Sequence, residues 1–289
     1  MTDKRFYTRN TMTDKRFYTR NTMTDKRFYT LQDGSSVPSV TTILDAVGKP
    51  QLIDWAARLE REAVCAAADE VFHSSPADLP PAAFRYRLAE RLPSRGYHKV
   101  VLNHAAAIGS EVHAAIEATL GGGVVPPLTS PEAANAFGAW RRWVSSANPV
   151  VHLSESTVWS RAYSYAGTLD LLADVTVDGI RYRDVVIDWK TSSRIRPENE
   201  MQVAAYGAAL HEMGHTRSVP SGLIVRAPKD GSNVETHLVP PEQMRRAFAA
   251  FLAAKTLFDY ITPPHVNQIM PTKTVRPATG TAFGFAGMA

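Results

Sequence analysis

The sequence predicts an α/β protein in which a mixed sheet is flanked by helices and preceded by a helical region. Three observations carry that expectation. Apolar residues recur at helical spacing as far as about Ala147; from about Leu153 to Trp189 they follow the two-residue alternation of half-buried strands; beyond Pro197 helical and strand patterns alternate again. With 289 residues, 44% of them hydrophobic, the chain can fill one large core or two small ones.

Taken in order, Met1–Thr11 is repeated as Met12–Thr22, and a third copy starts at Met23 and diverges at Leu31. The unit has no apolar seam to drive a helical supercoil, so residues 1–22 read as a duplicated start, disordered or artefactual. Pro38-Ser-Val-Thr-Thr-Ile-Leu44 reads as a short extended entry to a helical region, 38–147. There Trp55, Leu59 and Val71, then Phe84, Leu88 and Leu92, then Phe137, Trp140 and Val144 fall at helical spacing. Ser130-Pro131 is an N-cap followed by proline at the first helical position.

A second region, 148–261, opens with strands at Ser156–Trp159, Gly167–Val177 and Arg181–Trp189, the last two joined by an Asp178-Gly179 hairpin turn. A helix from about Pro197 to Gly214 follows, then a strand pair at about Gly222–Arg226 and Val234–Val239, then a helix from about Glu242 to Tyr260. Residues 262–289, rich in Pro, Thr, Gly and Ala, are expected to form a flexible tail.

Composition excludes several classes. The one cysteine, Cys65, leaves no intramolecular disulfide and no four-cysteine zinc or iron–sulfur site, and it reads as a buried small hydrophobe. No apolar run reaches bilayer length and the first thirty residues lack a signal-peptide core, so a soluble cytoplasmic protein without a membrane partner is expected. The formal net charge of +4 is no argument for nucleic acid. Each copy of the repeat sets one Asp against one Lys and two Arg, so the first two copies supply all of it.

Local chemistry is more specific. Asp188-Trp189-Lys190 ends a strand that opens with Val185-Val186-Ile187, and alternation puts Asp188 and Lys190 on one face with Trp189 on the other. A carboxylate there is costly to desolvate unless it meets a cation or a hydrogen-bond network, and a metal ion is one such partner. Asp170 and Asp188 lie almost symmetrically about the Asp178-Gly179 turn, within about one residue of being cross-strand neighbours. Mg²⁺ is commonly held by one or two carboxylates plus water and substrate phosphate. The metal polarises a scissile phosphate while Lys190 orients a water or neutralises developing charge, which is the chemistry of phosphodiester hydrolysis.

In order and spacing, Gly167-Thr-Leu-Asp170, Val186-Ile-Asp188-Trp-Lys190-Thr-Ser and Gln202-Val-Ala-Ala-Tyr206 resemble the core signature of the RecB-like branch of the PD-(D/E)XK nuclease superfamily. Upstream, Gly109-Ser-Glu-Val-His113 is similar to that family's histidine motif, and Glu155 stands where such proteins carry an acidic residue before the first core strand. Pro38 to Leu44 also resembles the stand-alone phage exonucleases and the mitochondrial genome maintenance exonuclease. The resemblance runs from about Pro38 to Tyr260 and implies a restriction-endonuclease-like sheet.

It further implies that His113, Asp170 and Asp188 ligate Mg²⁺ or Mn²⁺ with help from the Trp189 carbonyl, and that Lys190 is the catalytic lysine. Gln202 and Tyr206 would brace the site or touch DNA. The implied activity is an exonuclease on single strands or frayed DNA ends in repair or recombination, with a separate helicase or recombination protein as a candidate partner. The cysteines of the iron–sulfur members are missing, as is a Gly-x-x-x-x-Gly-Lys-Ser/Thr loop, so no cluster and no built-in helicase motor are expected.

Blander readings stand beside these. Asp170, Asp188 and Lys190 could be a structural ion pair at a sheet edge, His113 a packed helix histidine, Tyr206 a core residue and Glu117 a solvated one; Glu155 is evenly balanced. Arg85, Arg87, Arg91, Arg95 and Lys99, interleaved with Tyr86 and Tyr97, suit a strand-binding surface and an ordinary solvated helix face equally. A catalytically silent DNA-binding protein of the same fold is the nearer alternative. A zinc metalloprotease through His211-Glu212-Met-Gly-His215 is the distant one, because Gly214 should end the helix before His215.

Overall fold

The structure is a computed structural model that describes residues 27–31 and 35–262. The duplicated segment 1–22 and the expected tail, Thr262 apart, lie outside the described residues. Among the described residues there are seven helices, a two-stranded sheet and a five-stranded mixed sheet, the α/β class that the periodicities predict.

The third copy of the repeat enters the fold. Its Phe28–Thr30 forms β1, antiparallel to β2 at Ser36–Pro38. Tyr29 is buried beside Val37 and Ala166. The next residues depart from the extended segment expected over 38–44, because Val40–Leu44 is a helix, α1. Ser39 stays extended and its Oγ accepts from the Thr42 amide at 3.0 Å. That N-cap satisfies a first-turn donor and overrides the strand preference of the β-branched residues it precedes.

Four long helices follow: α2 at Gln51–Ser74, α3 at Pro81–Arg91, α4 at Tyr97–Leu120 and α5 at Pro131–Ala147. Ser130 caps α5 by accepting from the Ala133 amide at 3.1 Å. Helix α2 buries Ala67 and Val71, a pair at i,i+4 that fixes its inward stripe. Cys65 sits two residues before Ala67, about 200° around the helix, and is exposed rather than buried as its residue type suggested.

The large sheet runs β3 (Val150–Ser160), β4 (Tyr165–Val177), β5 (Ile180–Lys190), β6 (Gly222–Arg226) and β7 (Glu235–Val239), side by side in chain order. Every neighbouring pair is antiparallel except β5–β6. A parallel pair needs a crossover, and α6 (Pro197–Glu212) supplies it; α7 (Pro241–Ile261) packs on α6. Strand β3 starts at Val150, earlier than the Ser156 the alternation suggested. Helix α6 ends where Gly214 takes φ 78°, and the His215 amide bonds the Leu210 carbonyl at 2.9 Å.

One irregularity decides the register of the site. The β4–β5 hairpin begins with Val177↔Ile180 across the two-residue Asp178-Gly179 turn and continues to Val175↔Tyr182. The next pair is Ala173↔Val185, so Arg183 and Asp184 together oppose Asp174 in a β-bulge. Beyond it the pairing ends at Leu171↔Ile187, which sets Asp188 opposite Asp170.

The chain divides into two units. One contains the described residues of Met1–Ala46 and Asn233–Ala289 together with Trp140–Ala227; the other is Val47–Ala139 with Pro228–Ser232.

Candidate active site

In the sheet unit the carboxylates predicted from sequence come together on adjacent strands. Asp170 lies on β4 and Asp188 on β5, and both are buried, Asp188 to 1% exposure. Glu155 on β3 falls between the registered pairs Ser154↔Leu171 and Ser156↔Leu169, hence opposite Asp170. Their carboxylates offer oxygens within 4.8 Å of each other. Glu155 adopts φ 44°, a left-handed conformation uncommon for such a residue.

The two central strands part at this level. The β4–β5 ladder stops at Leu171↔Ile187, whereas β4 continues to pair with β3, and β5 pairs with β6 as far as Lys190↔Arg226. Asp170 fills the break, its Oδ2 accepting from the Trp189 amide at 2.7 Å. A buried backbone donor that would be left without a strand partner is thus satisfied by a carboxylate aimed at the end of β5.

Lys190 is fixed from two sides. Its Nζ lies 2.5 Å from Asp188 Oδ2 and donates to Gln202 Oε1 at 3.1 Å. Gln202 in turn donates from Nε2 to the Tyr206 hydroxyl at 3.1 Å. Gln202 and Tyr206, one turn apart on α6, form a relay behind the lysine. Burial, with the nearby Asp188 charge, pushes the Tyr206 phenol well above its ordinary range, so it stays neutral at physiological pH. Gly167 makes room for this ring: a Cβ there would stand 2.5 Å from Tyr206 Cε1.

On the opposite face Trp189 packs edge-on against Trp140 and Trp143 of α5, at ring-centroid distances of 5.9 and 5.7 Å. Each such contact contributes about 0.5–1.5 kcal/mol beyond burial. The alternation of Asp188, Trp189 and Lys190 is therefore anchored on one side by aromatic packing and on the other by charge. The helical spacing placed Trp140 on the apolar stripe of α5 without marking it as a support of the site, and it left out Trp143.

The other residues singled out lie in the helical unit. His113 is half-buried on α4, and Glu117, one turn on, is exposed. Arg85, Arg95 and Lys99 are exposed. Arg87 and Arg91 turn back onto the end of α2: Arg87 donates to Ser75 Oγ at 2.9 Å, and Arg91 lies 3.5 Å from Glu70 and 3.3 Å from Ser74 Oγ. These two tie α3 to the end of α2, Arg87 from a half-buried and Arg91 from an exposed position.

The protease pattern does not assemble. Glu212 caps the β3–β4 turn by accepting from Ser160 Oγ and from the Arg161 and Ala162 amides, and His215 lies past the end of α6. Among the described residues, His211, Glu212 and His215 do not converge as a ligand set.

No family model matches the chain. It is similar to the protein named mitochondrial genome maintenance exonuclease 1 in three vertebrates. The mouse (Mus musculus) protein is 38% identical over 109 residues, 35% of this chain and 31% of that one. The Xenopus tropicalis protein is 39% identical over 92 residues, 29% and 25% of the two chains, and the Homo sapiens protein 37% over 99 residues, 32% and 27%. The matched stretch thus spans at most 31% of these relatives' length. The likeness is partial, and it is to proteins named as exonucleases. No helix among the described residues is long and apolar enough to cross a membrane.

Proposed function

We propose that this chain is a divalent-metal-dependent DNA exonuclease of the RecB-like PD-(D/E)XK type, acting on single strands or frayed ends. The observation that carries the reading is the approach of the Glu155 and Asp170 carboxylates to within 4.8 Å of each other, with Asp188 on the adjoining strand at the level of Asp170 and Lys190 held 2.5 Å from Asp188. The partial likeness to proteins named as exonucleases supports it from a separate direction.

The donor set suits a hard cation. Carboxylate oxygens beside a strand end match Mg²⁺ or Mn²⁺, which prefer oxygen and leave room for water and phosphate. Asp170 and Asp188 would hold it with the Trp189 carbonyl, Glu155 lying alongside; His113, in the helical unit, is a further ligand on the strength of the family resemblance. When bound, such an ion supplies Lewis acidity to the scissile phosphate.

The chain's own groups do the rest. Lys190 Nζ, kept in one orientation by Gln202, places a positive charge where negative charge grows on the phosphate or the attacking water. Tyr206, neutral and buried, holds Gln202 without adding charge of its own. Asp170, tied to the Trp189 amide, keeps the split between β4 and β5 in place. Exposed Arg85, Arg95 and Lys99 are the candidates for phosphate contacts.

The test is incubation of the purified protein with end-labelled linear and covalently circular single-stranded DNA, with Mg²⁺, Mn²⁺ or EDTA. Metal-dependent loss of the linear strand, with circles spared, is expected. Binding without cleavage under every metal condition would instead establish a catalytically silent DNA-binding protein.

A further inference from the structure

The bulge in β5 has consequences for the whole site. A hairpin that starts at Val177↔Ile180 and runs without interruption would bring Ile187 opposite Asp170 and Asp188 opposite Leu169. Because side chains alternate, that slip of one residue would turn Asp188 and Lys190 to the other face and Trp189 to theirs. The site exists only because one extra residue is accommodated at Arg183–Asp184.

Such a bulge needs an explanation, since Asp184 adopts φ 51°, where an L side chain is strained. The explanation lies on the neighbouring strand. Asp174 Oδ1 accepts from the Asp184 amide at 3.0 Å and meets His152 Nε2 at 2.9 Å. His152 is itself the extra residue of a second bulge, between Val151↔Ala173 and Leu153↔Leu172 of the β3–β4 ladder. Two bulges on the flanking strands thus converge on one carboxylate of the central one. Desolvation would raise the Asp174 carboxyl, but the bonds from His152 and the Asp184 amide outweigh it and hold the group below the ordinary carboxylate range.

We propose that Asp174 is a positioning residue of the nuclease site: by accepting the Asp184 amide it holds the β5 bulge, and the bulge sets the register that brings Asp188 and Lys190 to the face of Asp170. The group touches neither substrate nor reacting atoms. His152 reinforces the carboxylate from β3, and Asp184 contributes its backbone, with its side chain 3.9 Å from the imidazole. The inference rests on the nuclease reading only for its link to activity; the register itself has an independent readout in Trp189, whose packing on Trp140 and Trp143 exists in one register alone.

The experiment compares full-length wild type with Asp174→Ala, Asp184→Gly and the double variant Asp174→Ala/Asp184→Gly. Near-UV circular dichroism reports the tryptophan cluster, and linear-strand cleavage gives kcat and KM. Glycine adopts positive φ without strain, so it should keep the bulge when the Asp174 acceptor is gone. Asp174→Ala is expected to lose the tryptophan signal and to lower kcat at least as far as the loss of Asp188 or Lys190 alone, by about 10²–10³-fold or more, with KM unchanged. The double variant should recover both the signal and most of kcat.

A wild-type tryptophan signal and kcat in Asp174→Ala would overturn the proposal, as would a double variant no better than Asp174→Ala. If Asp174→Ala fails to fold, the double variant decides: folded and active, it upholds the bulge as the point of action; unfolded, it makes Asp174 a general structural residue. A wild type that cleaves no DNA would count against the nuclease reading, and the tryptophan signal would still decide the register.

Discussion

The two units of this protein differ in how deeply they bury the polar side chains of interest. In the sheet unit the charged and polar groups of interest are interlocked: Lys190 with Asp188 and Gln202, Gln202 with Tyr206, Asp170 with the Trp189 amide. In the helical unit α3 has no buried residue, and Arg85, Arg95 and Lys99 stand exposed. Buried, mutually bonded groups in low dielectric have fixed geometry and large individual effects, as catalysis requires. Exposed cations act additively and through salt-dependent attraction, as strand binding requires. The difference teaches where single substitutions will be decisive and where they will be graded.

The largest expected effect belongs to the interlocked side. Asp188→Asn preserves shape while removing the charge at the centre of the site, and Lys190→Ala removes the cation beside it. Each is expected to lower cleavage by about 10²–10³-fold or more while strand binding persists. Quantitative cleavage at saturating metal, with gel-shift binding on the same samples, checks this. Wild-type rates in either variant would reduce the trio to a structural ion pair and dissolve the contrast between the units.

How far that contrast was legible in sequence depends on the range of the interaction. Alternation along β5 placed Asp188 and Lys190 together, the Asp178-Gly179 turn placed Asp170 close by, and Gly214 marked the end of α6, because each is a local signal. The exact pairing of Asp170 with Asp188 was not legible. It depends on a bulge at Arg183–Asp184 whose cause, Asp174, lies on another strand. Nor could composition show that Arg87 and Arg91 bond back to α2, or that Cys65 lies off the buried stripe. Helix α1 was missed because a single capping bond outweighed a run of β-branched residues.

The middle-sized effect separates the cations of the helical unit from one another. Replacing Arg85, Arg95 and Lys99 together by glutamine should weaken single-strand binding and flatten the dependence of log K on log salt by roughly 0.7 for each phosphate that is no longer neutralised. Replacing Arg87 and Arg91 should instead lower thermal stability slightly and leave that slope alone, since their guanidinium groups are turned onto Ser74, Ser75 and Glu70. Binding isotherms across a salt series distinguish the sets. An equal flattening of the slope in both would return Arg87 and Arg91 to the strand-binding surface.

The smallest effect sharpens the contrast through pH. Tyr165 on β4 is fully buried and donates its hydroxyl to the Ala205 carbonyl at 2.8 Å. Burial, then the charge of Glu212, pushes its phenol well above the ordinary range. Because the folded pKa exceeds the unfolded one, the associated stability is fully present below about pH 10, where the unfolded phenol starts to ionise, and is lost as pH rises from there towards the folded pKa. Tyr165→Phe forfeits a hydrogen bond, a deficit of about 1 kcal/mol at neutral pH. Above pH 10 it escapes a loss that approaches 1.4 kcal/mol per pH unit in the wild type, so the two stability curves should meet roughly one unit higher. Exposed Tyr86, whose phenol is raised by its bond to Glu90, sits where solvent screens that interaction, and Tyr86→Phe should leave the alkaline slope close to wild type. Urea melts at pH 8, 10 and 11 measure both. Parallel curves for Tyr165→Phe and wild type across that range would mean that the Tyr165 environment opens to water before the rest of the sheet unit unfolds.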